Sequence, residues 1–282
     1  MIVLKGDEYN NLLPIRSDNS HKGDFGTLAI VAGSRCYQGA ACFATNSALH
    51  SGVGIAVACI PDCIYDAFAS KISGAVIEPL KSVGGCICDE DLAEKIAHRR
   101  SSAVLCGSGL GFNDTALRTV SEVLSLSLPA VIDGDGISAL SLDLSLLKRD
   151  CPVVLTPHMG EFSRICGISI DKIKINREEI LYDFCVKNNC FTVLKDSYTV
   201  ICTPNGDMYI LSRPTSALSK GGSGDVLAGM LSSFIAQGMS PVDSAVAAVT
   251  LHNTCGHMAA EQFGVRGCQP DDYISMLRTL KV

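Results

Sequence analysis

The residues best placed to do chemistry are Gly221-Gly222-Ser223-Gly224-Asp225, directly ahead of the apolar run Val226-Leu227-Ala228-Gly229-Met230-Leu231. A glycine turn that opens a helix leaves unpaired backbone N–H groups at the positive end of the helix dipole, so Gly222, Ser223 and Gly224 form a candidate anion hole. A carboxylate planted there repels a phosphate unless it has another task. Asp225 is therefore the candidate catalytic residue, taking a proton from a hydroxyl beside the phosphate or approaching a magnesium ion. The plainer reading is a glycine turn in which Asp225 only caps the helix.

Other candidates follow apolar runs. His158, after Leu155-Thr156-Pro157 and before Gly160-Glu161, sets an imidazole near a carboxylate, and could be structural or functional. Asp133 and Asp135 flank Gly134, a spacing that suits a hydrated magnesium, a ligand hydroxyl or a solvated turn. Gly107-Ser108-Gly109-Leu110-Gly111 is a tight turn or a binding loop. It carries Phe112 where a dinucleotide fingerprint needs its last glycine, and the Gly221 segment lacks the Lys-Ser/Thr of a Walker loop. His252 and His257, five apart, do not share a helix face as a zinc pair would, and read as packing or surface residues.

The elements that must position these residues alternate. Apolar runs at 27–33, 54–60, 103–106, 129–133 and 152–156 read as strands. Helical spacing covers 39–51, about 62–71, 114–126 and about 171–188. This is the pattern of an α/β fold, a mostly parallel sheet flanked by helices on both faces, with ligands beyond the carboxyl ends of the strands. Runs at 190–195, 199–203 and 208–212, split by short polar turns, look antiparallel. Helices at 225–237 and 242–262 fill the last third, and the first twenty residues look irregular. With no repeat or linker in view, residues 1–282 read as a single domain.

Composition narrows the function. A net charge of −6, with no basic cluster among aromatics, argues against a nucleic-acid partner. The 14 cysteines fall in apolar runs, and no CxxC occurs. They read as free thiols in a reducing cytoplasm. No stretch has the length of about 18 apolar residues that a membrane span requires.

Taken in order, several segments resemble one family: His21-Lys22-Gly23 with Gly26, Tyr37-Gln38-Gly39-Ala40-Ala41, the Gly107 loop, Thr156-Pro157-His158-Met159-Gly160-Glu161, Leu194-Lys195-Asp196, and Lys220 through Leu227. The family is the ADP-dependent NAD(P)H-hydrate dehydratase of the ribokinase-like superfamily. The resemblance implies metabolite repair: loss of water from the S epimer of NADH or NADPH hydrated at nicotinamide C6, with ADP consumed. It implies that Ala41, Gly109, His158 and Asp225 contact the hydrated dinucleotide. Lys195, Asp196, Ser197, Tyr198, Thr199 and Gly224 would hold the adenine nucleotide. It further implies Mg2+ with ADP as co-substrate and no direct protein ligand to the metal, a homotetramer, and a separate NAD(P)H-hydrate epimerase. The pattern departs at Arg213-Pro214-Thr215-Ser216, where the family has Thr-Gly-Asn-Gly, and at Gly134 and Ser138 within Asp133-Gly134-Asp135-Gly136-Ile137-Ser138. The competing readings are a kinase of the same superfamily that phosphorylates a small alcohol with ATP, and a non-catalytic nucleotide sensor.

Overall fold

Short runs of Val, Ile, Leu and Ala form strands buried on both faces, as a helix-covered parallel sheet requires. The computed structural model describes residues 1–280. In chain order the elements are β1 (Ile2–Val3), α1 (Tyr9–Leu12), β2 (Thr27–Val31), α2 (Gln38–His50), β3 (Ile55–Pro61), α3 (Tyr65–Ala69) and β4 (Val76–Leu80). A hairpin of β5 (Ser82–Val83) and β6 (Cys86–Ile87) follows. Next come α4 (Leu92–His98), β7 (Ala103–Cys106), α5 (Asp114–Ser125), β8 (Ala130–Ile132), α6 (Gly134–Leu140), β9 (Val153–Leu155), α7 (Met159–Cys166), α8 (Ile170–Ile175) and α9 (Arg177–Asn188). The chain continues with β10 (Phe191–Leu194), β11 (Thr199–Cys202), β12 (Met208–Leu211), α10 (Ser223–Ala236), α11 (Pro241–Phe263) and α12 (Pro270–Leu277).

Among the described residues, ten strands form one sheet in the order β1-β12-β11-β10-β9-β8-β7-β2-β3-β4. Pairing is parallel except for β11, which runs against both β10 and β12. Val31 lies opposite Cys59 of β3 and Cys106 of β7. The chain moves outward from β2 through β3 to β4, then returns to β7 on the other side of β2 and proceeds through β8 to β10. The strand order reverses between β2 and β7, which is where open α/β sheets bind ligands.

Alternate residues of each strand enter different cores. Leu28, Ile30, Ala103 and Leu105 pack with α2, α10 and α11, whereas Ala29, Val31, Val104 and Cys106 pack with residues of α4 to α7 and α9. The expected α/β sheet with helices on both faces is therefore present, and the antiparallel strands lie at 199–211.

Local differences from the sequence reading have physical causes. Residues 1–20 are not wholly irregular: β1 adds a parallel edge strand to β12, and Tyr9 of α1 is buried. Two residues are too few to show alternation. The expected helix at 171–188 is two helices meeting at Asn176, whose φ of −125° and ψ of 45° leave the helical region. All fourteen cysteines are free thiols. No helix among the described residues is long and apolar enough to cross a membrane.

The His21-Lys22-Gly23 motif lies at the amino ends of the strands, opposite the ligand-binding edge. It forms a short 3-10 turn, Lys22–Phe25, capped by Asp24 accepting from the His21 N–H at 2.8 Å. Gly26 has a φ of 69°, and a Cβ there would stand 1.9 Å from the Ala236 carbonyl oxygen at the end of α10. This part of the motif seats α10 on the sheet. Gly26→Ala should cost more than about 1 kcal/mol in a denaturant melt, because it adds a clash to the left-handed strain. Gly84→Ala, also at positive φ but with nothing within 4 Å, should cost less. Equal costs would mean that the α10 seat tolerates the methyl group.

Candidate functional site

The carboxyl ends of β8, β9 and β10 deliver three polar side chains to one place. Asp133, just after β8, is buried. Its Oδ1 accepts from Thr156 Oγ1 at 2.6 Å and from Lys195 Nζ at 3.3 Å, and its Oδ2 accepts from Ser108 Oγ at 3.0 Å. Asp133 is thus neither a solvated turn nor a free metal ligand. Lys195 continues β10, and its N–H donates to the Pro157 carbonyl at 2.9 Å in a parallel bridge with His158. The register of that bridge carries the ammonium across to Asp133.

Lys195 also faces the start of α10. A Cβ on Gly224 would stand 3.2 Å from Lys195 Nζ, a tight contact that places the ammonium directly against the helix end. The Ser223 N–H, expected in the anion hole, instead donates to the Lys220 carbonyl at 3.2 Å, so the cation and the N–H groups of Gly222 and Gly224 at the start of a fourteen-residue helix are what converge here. Gly222 is the helix N-cap, with φ 96°, and Asp225 is the third helical residue, making no side-chain cap. The reading of Asp225 as only a helix cap is therefore set aside. Burial, together with the neighbouring Asp133, pushes the Asp225 carboxyl up to about 7, against the opposing pull of Ser108 and Lys195. Burial likewise raises Glu161 to about 7, with Lys195 opposing and Asp133 adding. Burial works against the charge of Lys195, yet Asp133, Glu161 and Asp225 together hold its pKa above the ordinary value.

His158 is both structural and exposed to the site. Its Nδ1 accepts from the Gly160 and Glu161 N–H groups at 3.0 and 3.3 Å, and its own N–H donates to Glu161 Oε2 at 2.8 Å, a capping box on α7. Those acceptor bonds put the ring proton on Nε2. Burial and Lys195 lower its pKa.

A cleft of about 840 Å³ opens beside this centre, within the range of small-molecule sites. Its walls include His158, Lys195, Asp196, Ser197, Tyr198, Thr199, Ser223 and Gly224. All six residues expected at the adenine nucleotide thus share one cavity. Behind the loop, buried Arg177 pairs with Asp196 and stacks on the Tyr198 ring, 4.1 Å from its centroid. Nothing in the sequence spacing marks Arg177, nineteen residues from Asp196.

Gly109 and Ala41 lie elsewhere, at the reversal between β2 and β7. A Cβ on Gly109 would stand 2.7 Å from Ala40 Cβ and 2.8 Å from Tyr37 Cβ, so the Gly107 loop packs on the start of α2. Ala41 is fully buried, its methyl packed toward Gly33, so it presents no accessible surface for the dinucleotide contact expected of it. His252, read as packing or surface, lines the cleft. It is buried, its Nε2 lies 3.3 Å from Ser223 Oγ, and burial lowers its pKa to about 4. That contact joins residues 29 positions apart on two helices and leaves no local signal.

A family model described as NAD(P)H-hydrate dehydratase matches residues 28–279. The chain belongs to that family. It is 32% identical over 259 residues to the bifunctional NAD(P)H-hydrate repair enzyme Nnr of Thermofilum pendens, covering 90% of this chain and 49% of the relative. The chain thus spans about half the length of the first curated relatives it matches. It is 30% identical over 250 residues to the ADP-dependent (S)-NAD(P)H-hydrate dehydratase of Bacillus subtilis, covering 89% of this chain and 87% of the relative. The crystal structure of the Bacillus subtilis ADP/ATP-dependent NAD(P)H-hydrate dehydratase, co-crystallised with ATP/Mg2+, superposes with a TM-score of 0.85 at 26% identity, covering 99% of this chain and 96% of that one. The ribokinase-like fold expected from the resemblance is shared with a ribokinase-like superfamily protein of Enterococcus faecalis.

The departures from the family pattern have local partners. Thr215 Oγ1 accepts from the Ala217 N–H at 3.3 Å, and Arg213 Nη1 donates to the Gly6 carbonyl at 3.4 Å, bracing this cleft wall on the N-terminal segment. Ser138 Oγ accepts from Arg164, and Gly134 supplies the positive φ of 54° that starts α6.

Two outcomes follow for this dehydratase-family site. His158→Ala should cost about 1 kcal/mol in unfolding free energy through the lost cap, and His158→Asn, which can cap, should retain most of it. Equal losses would show that the ring's packing matters more than its cap. Glu161 holds its proton longer folded than unfolded, so its contribution is full below about 4.5 and is lost as pH rises through about 7. The stability of Glu161→Gln relative to wild type should therefore improve between about pH 5 and about pH 8. A difference that stays flat would mean that Lys195 keeps Glu161 charged throughout.

Proposed function

We propose that the protein removes water from the S epimer of C6-hydrated NADH or NADPH and restores the dinucleotide, consuming ADP and releasing AMP and phosphate. The observation that carries this reading is the convergence of Lys195 and the α10 helix end beside Asp225. A terminal phosphoryl group has its counter-charges there, and the carboxylate next to it has a proton to accept.

In this mechanism Asp225 takes the proton of the C6 hydroxyl as that oxygen attacks the β-phosphorus of ADP. The bond from the β-phosphorus to the bridging oxygen breaks, and AMP departs. The lone pair of the ring nitrogen then expels phosphate from C6, and loss of a proton from C5 restores the double bond. Phosphate is a far better leaving group than hydroxide, which gives the nucleotide its chemical use. Lys195 and the N–H groups of Gly222 and Gly224 stabilise the charge on the transferred group. The Lys195 to Thr199 loop holds the nucleotide, and His158 and Gly109 receive the hydrated dinucleotide, with Ala41 packed beneath the surface.

Magnesium, part of the same reading, does not fit a protein-held cage. Asp133 is already hydrogen-bonded at both oxygens, Asp135 Oδ2 accepts from the Gly111 N–H at 2.8 Å, and among the described residues no three His, Cys, Asp or Glu side chains form a metal-binding group. The ion would arrive on the nucleotide's phosphates and keep its waters. The single-domain count, a homotetramer, cytoplasmic location and a separate epimerase for the other hydrate epimer belong to the proposal.

Incubation with ADP, magnesium and hydrated NADH should restore the reduced-nicotinamide absorbance and release AMP and phosphate. A stable phosphorylated alcohol without phosphate release would instead identify a kinase. Asp225→Asn should lower turnover by about 10²- to 10⁴-fold, the usual share of a general base, with nucleotide binding kept. Because Asp225 acts ionised and is held at about 7, wild-type kcat/KM should rise through that region as pH increases, with an apparent pKa belonging to the whole carboxylate cluster. Near-normal turnover of Asp225→Asn would move the base elsewhere.

A further inference from the structure

The reaction proposed above needs a second base, because the step that restores the double bond releases a proton from C5, and Asp225 already holds the one taken from the C6 hydroxyl. C5 is bonded to C6, so the second base must share the dinucleotide side of the site with Asp225. Most neighbours are already occupied. Both oxygens of Asp133 accept hydrogen bonds, and Lys195 stays protonated because its acidic neighbours outweigh its burial. His158 has Nδ1 tied to the α7 cap. Glu161 is buried, uses Oε2 in the same cap and turns Oε1 toward His158 Nε2 at 3.4 Å.

Asp135 is different. It stands in the first turn of α6, just beyond the carboxyl end of β8, and its Oδ2 accepts from the Gly111 N–H at 2.8 Å. That bond ties it to the loop carrying Gly109, at the reversal between β2 and β7. Its Oδ1 has no hydrogen-bond partner among the described residues, yet Asp135 is only half-buried and Oδ1 is not enclosed, so this oxygen is open to a ligand. Burial is the first cause that raises the pKa of Asp225, Glu161 and Cys86, and the charge of Asp135 adds to the rise in all three. The carboxylate therefore lies between the start of α10 and the Gly107 loop, where a Cβ on Gly111 would stand 3.2 Å from Cys86 Sγ.

We propose that Asp135 is the base of the second half-reaction, its Oδ1 taking the C5 proton. The inference rests on the dehydratase reading and assigns the step which that reading leaves without a residue. Once phosphate has left, an iminium double bond joins C6 to the ring nitrogen. The C5–H bond then breaks, its electron pair becomes the C5–C6 double bond, the iminium pair returns to nitrogen, and the proton passes to Asp135. A carboxylate fixed through one oxygen and free at the other is held for such a transfer. Its speed matters, because an iminium ion left waiting adds water at C6 and becomes the hydrate again. A missing second base thus turns repair into nucleotide hydrolysis.

Phosphate release and the gain in reduced-nicotinamide absorbance, followed together on the full chain with ADP, magnesium and hydrated NADH, separate the two halves. Wild type should form NADH and phosphate in equal amounts. Asp135→Asn keeps an oxygen for the Gly111 N–H but loses the base. It should still release phosphate, with the ratio of NADH to phosphate lowered at least about tenfold, within the share of a general base. Asp135→Ala should show the same fall and regain coupling when formate is added, a carboxylate small enough for the space left; this second variant stands by itself if Asp135→Asn fails to fold. A ratio that stays equal in either folded variant gives the proton to the departing phosphate and overturns the assignment. Phosphate and NADH that fall together overturn it too, by showing a structural role, and both results leave the dehydratase reading intact. Wild type that releases no phosphate overturns both.

Discussion

The pair between the Lys195 ammonium and the Asp133 carboxylate is the contact on which the site is built. Removing one partner of a buried ion pair strands the other charge, at a cost of about 3–5 kcal/mol, so neither residue can be exchanged alone. Asp133 is immobilised by the Thr156 and Ser108 hydroxyls, and Lys195 by its backbone bond to Pro157. Four loops are thereby held to one ion pair. Its charge then sets the protonation of its neighbours: Glu161 and Asp225 face both the cation and the Asp133 anion, and burial tips both carboxyls toward the neutral form. A carboxyl close to its titration point at neutral pH would suit the proton transfer proposed for Asp225.

The fold keeps this centre rigid by putting the candidate anion site on a buried helix. From Val226 to Ala236 every residue of α10 is buried, packed between α2, α11 and the sheet. The far end of the same helix is fixed by the Gly26 turn at the amino edge of the strands. The motifs that carry the family resemblance therefore divide into two groups. Those at the carboxyl edge surround the candidate site, and the His21 to Gly26 segment holds the helix that presents the candidate anion hole. A site carried by packed elements holds its geometry better than one carried by loops.

Much of this was legible in the residues. The Val, Ile and Leu runs at 27–31, 103–106, 130–132 and 153–155 revealed the parallel strands because full burial on both faces leaves no polar alternation. The glycine-rich start of α10 was legible as a turn opening a helix because its signal is contiguous. The β10 to β12 strands showed through the turns between them. By contrast, β1 and the β5–β6 hairpin are two residues long per strand, too short for periodicity to register. The break at Asn176 was hidden because the residues on both sides keep helical character. Asp133 stood out by its place after a strand as a magnesium or hydroxyl partner or a solvated turn, whereas the structure pairs it with hydroxyls 25 and 23 residues away and with Lys195.

The sequence by itself determined the fold class, the family and the two segments, 195–199 and 222–225, that meet at the candidate phosphate site, since each is written in consecutive residues whose backbone needs are local. Only the tertiary structure decided which side chains complete the site. Arg177 behind Asp196 and Tyr198, and His252 against Ser223, are contacts across 19 to 29 positions. Such contacts depend on strand order and helix packing, which bring together residues that have no fixed spacing in the chain. The protonation of Asp225 and Glu161 was decided at the same level, because desolvation and the Lys195–Asp133 charges exist only once the chain has folded around them.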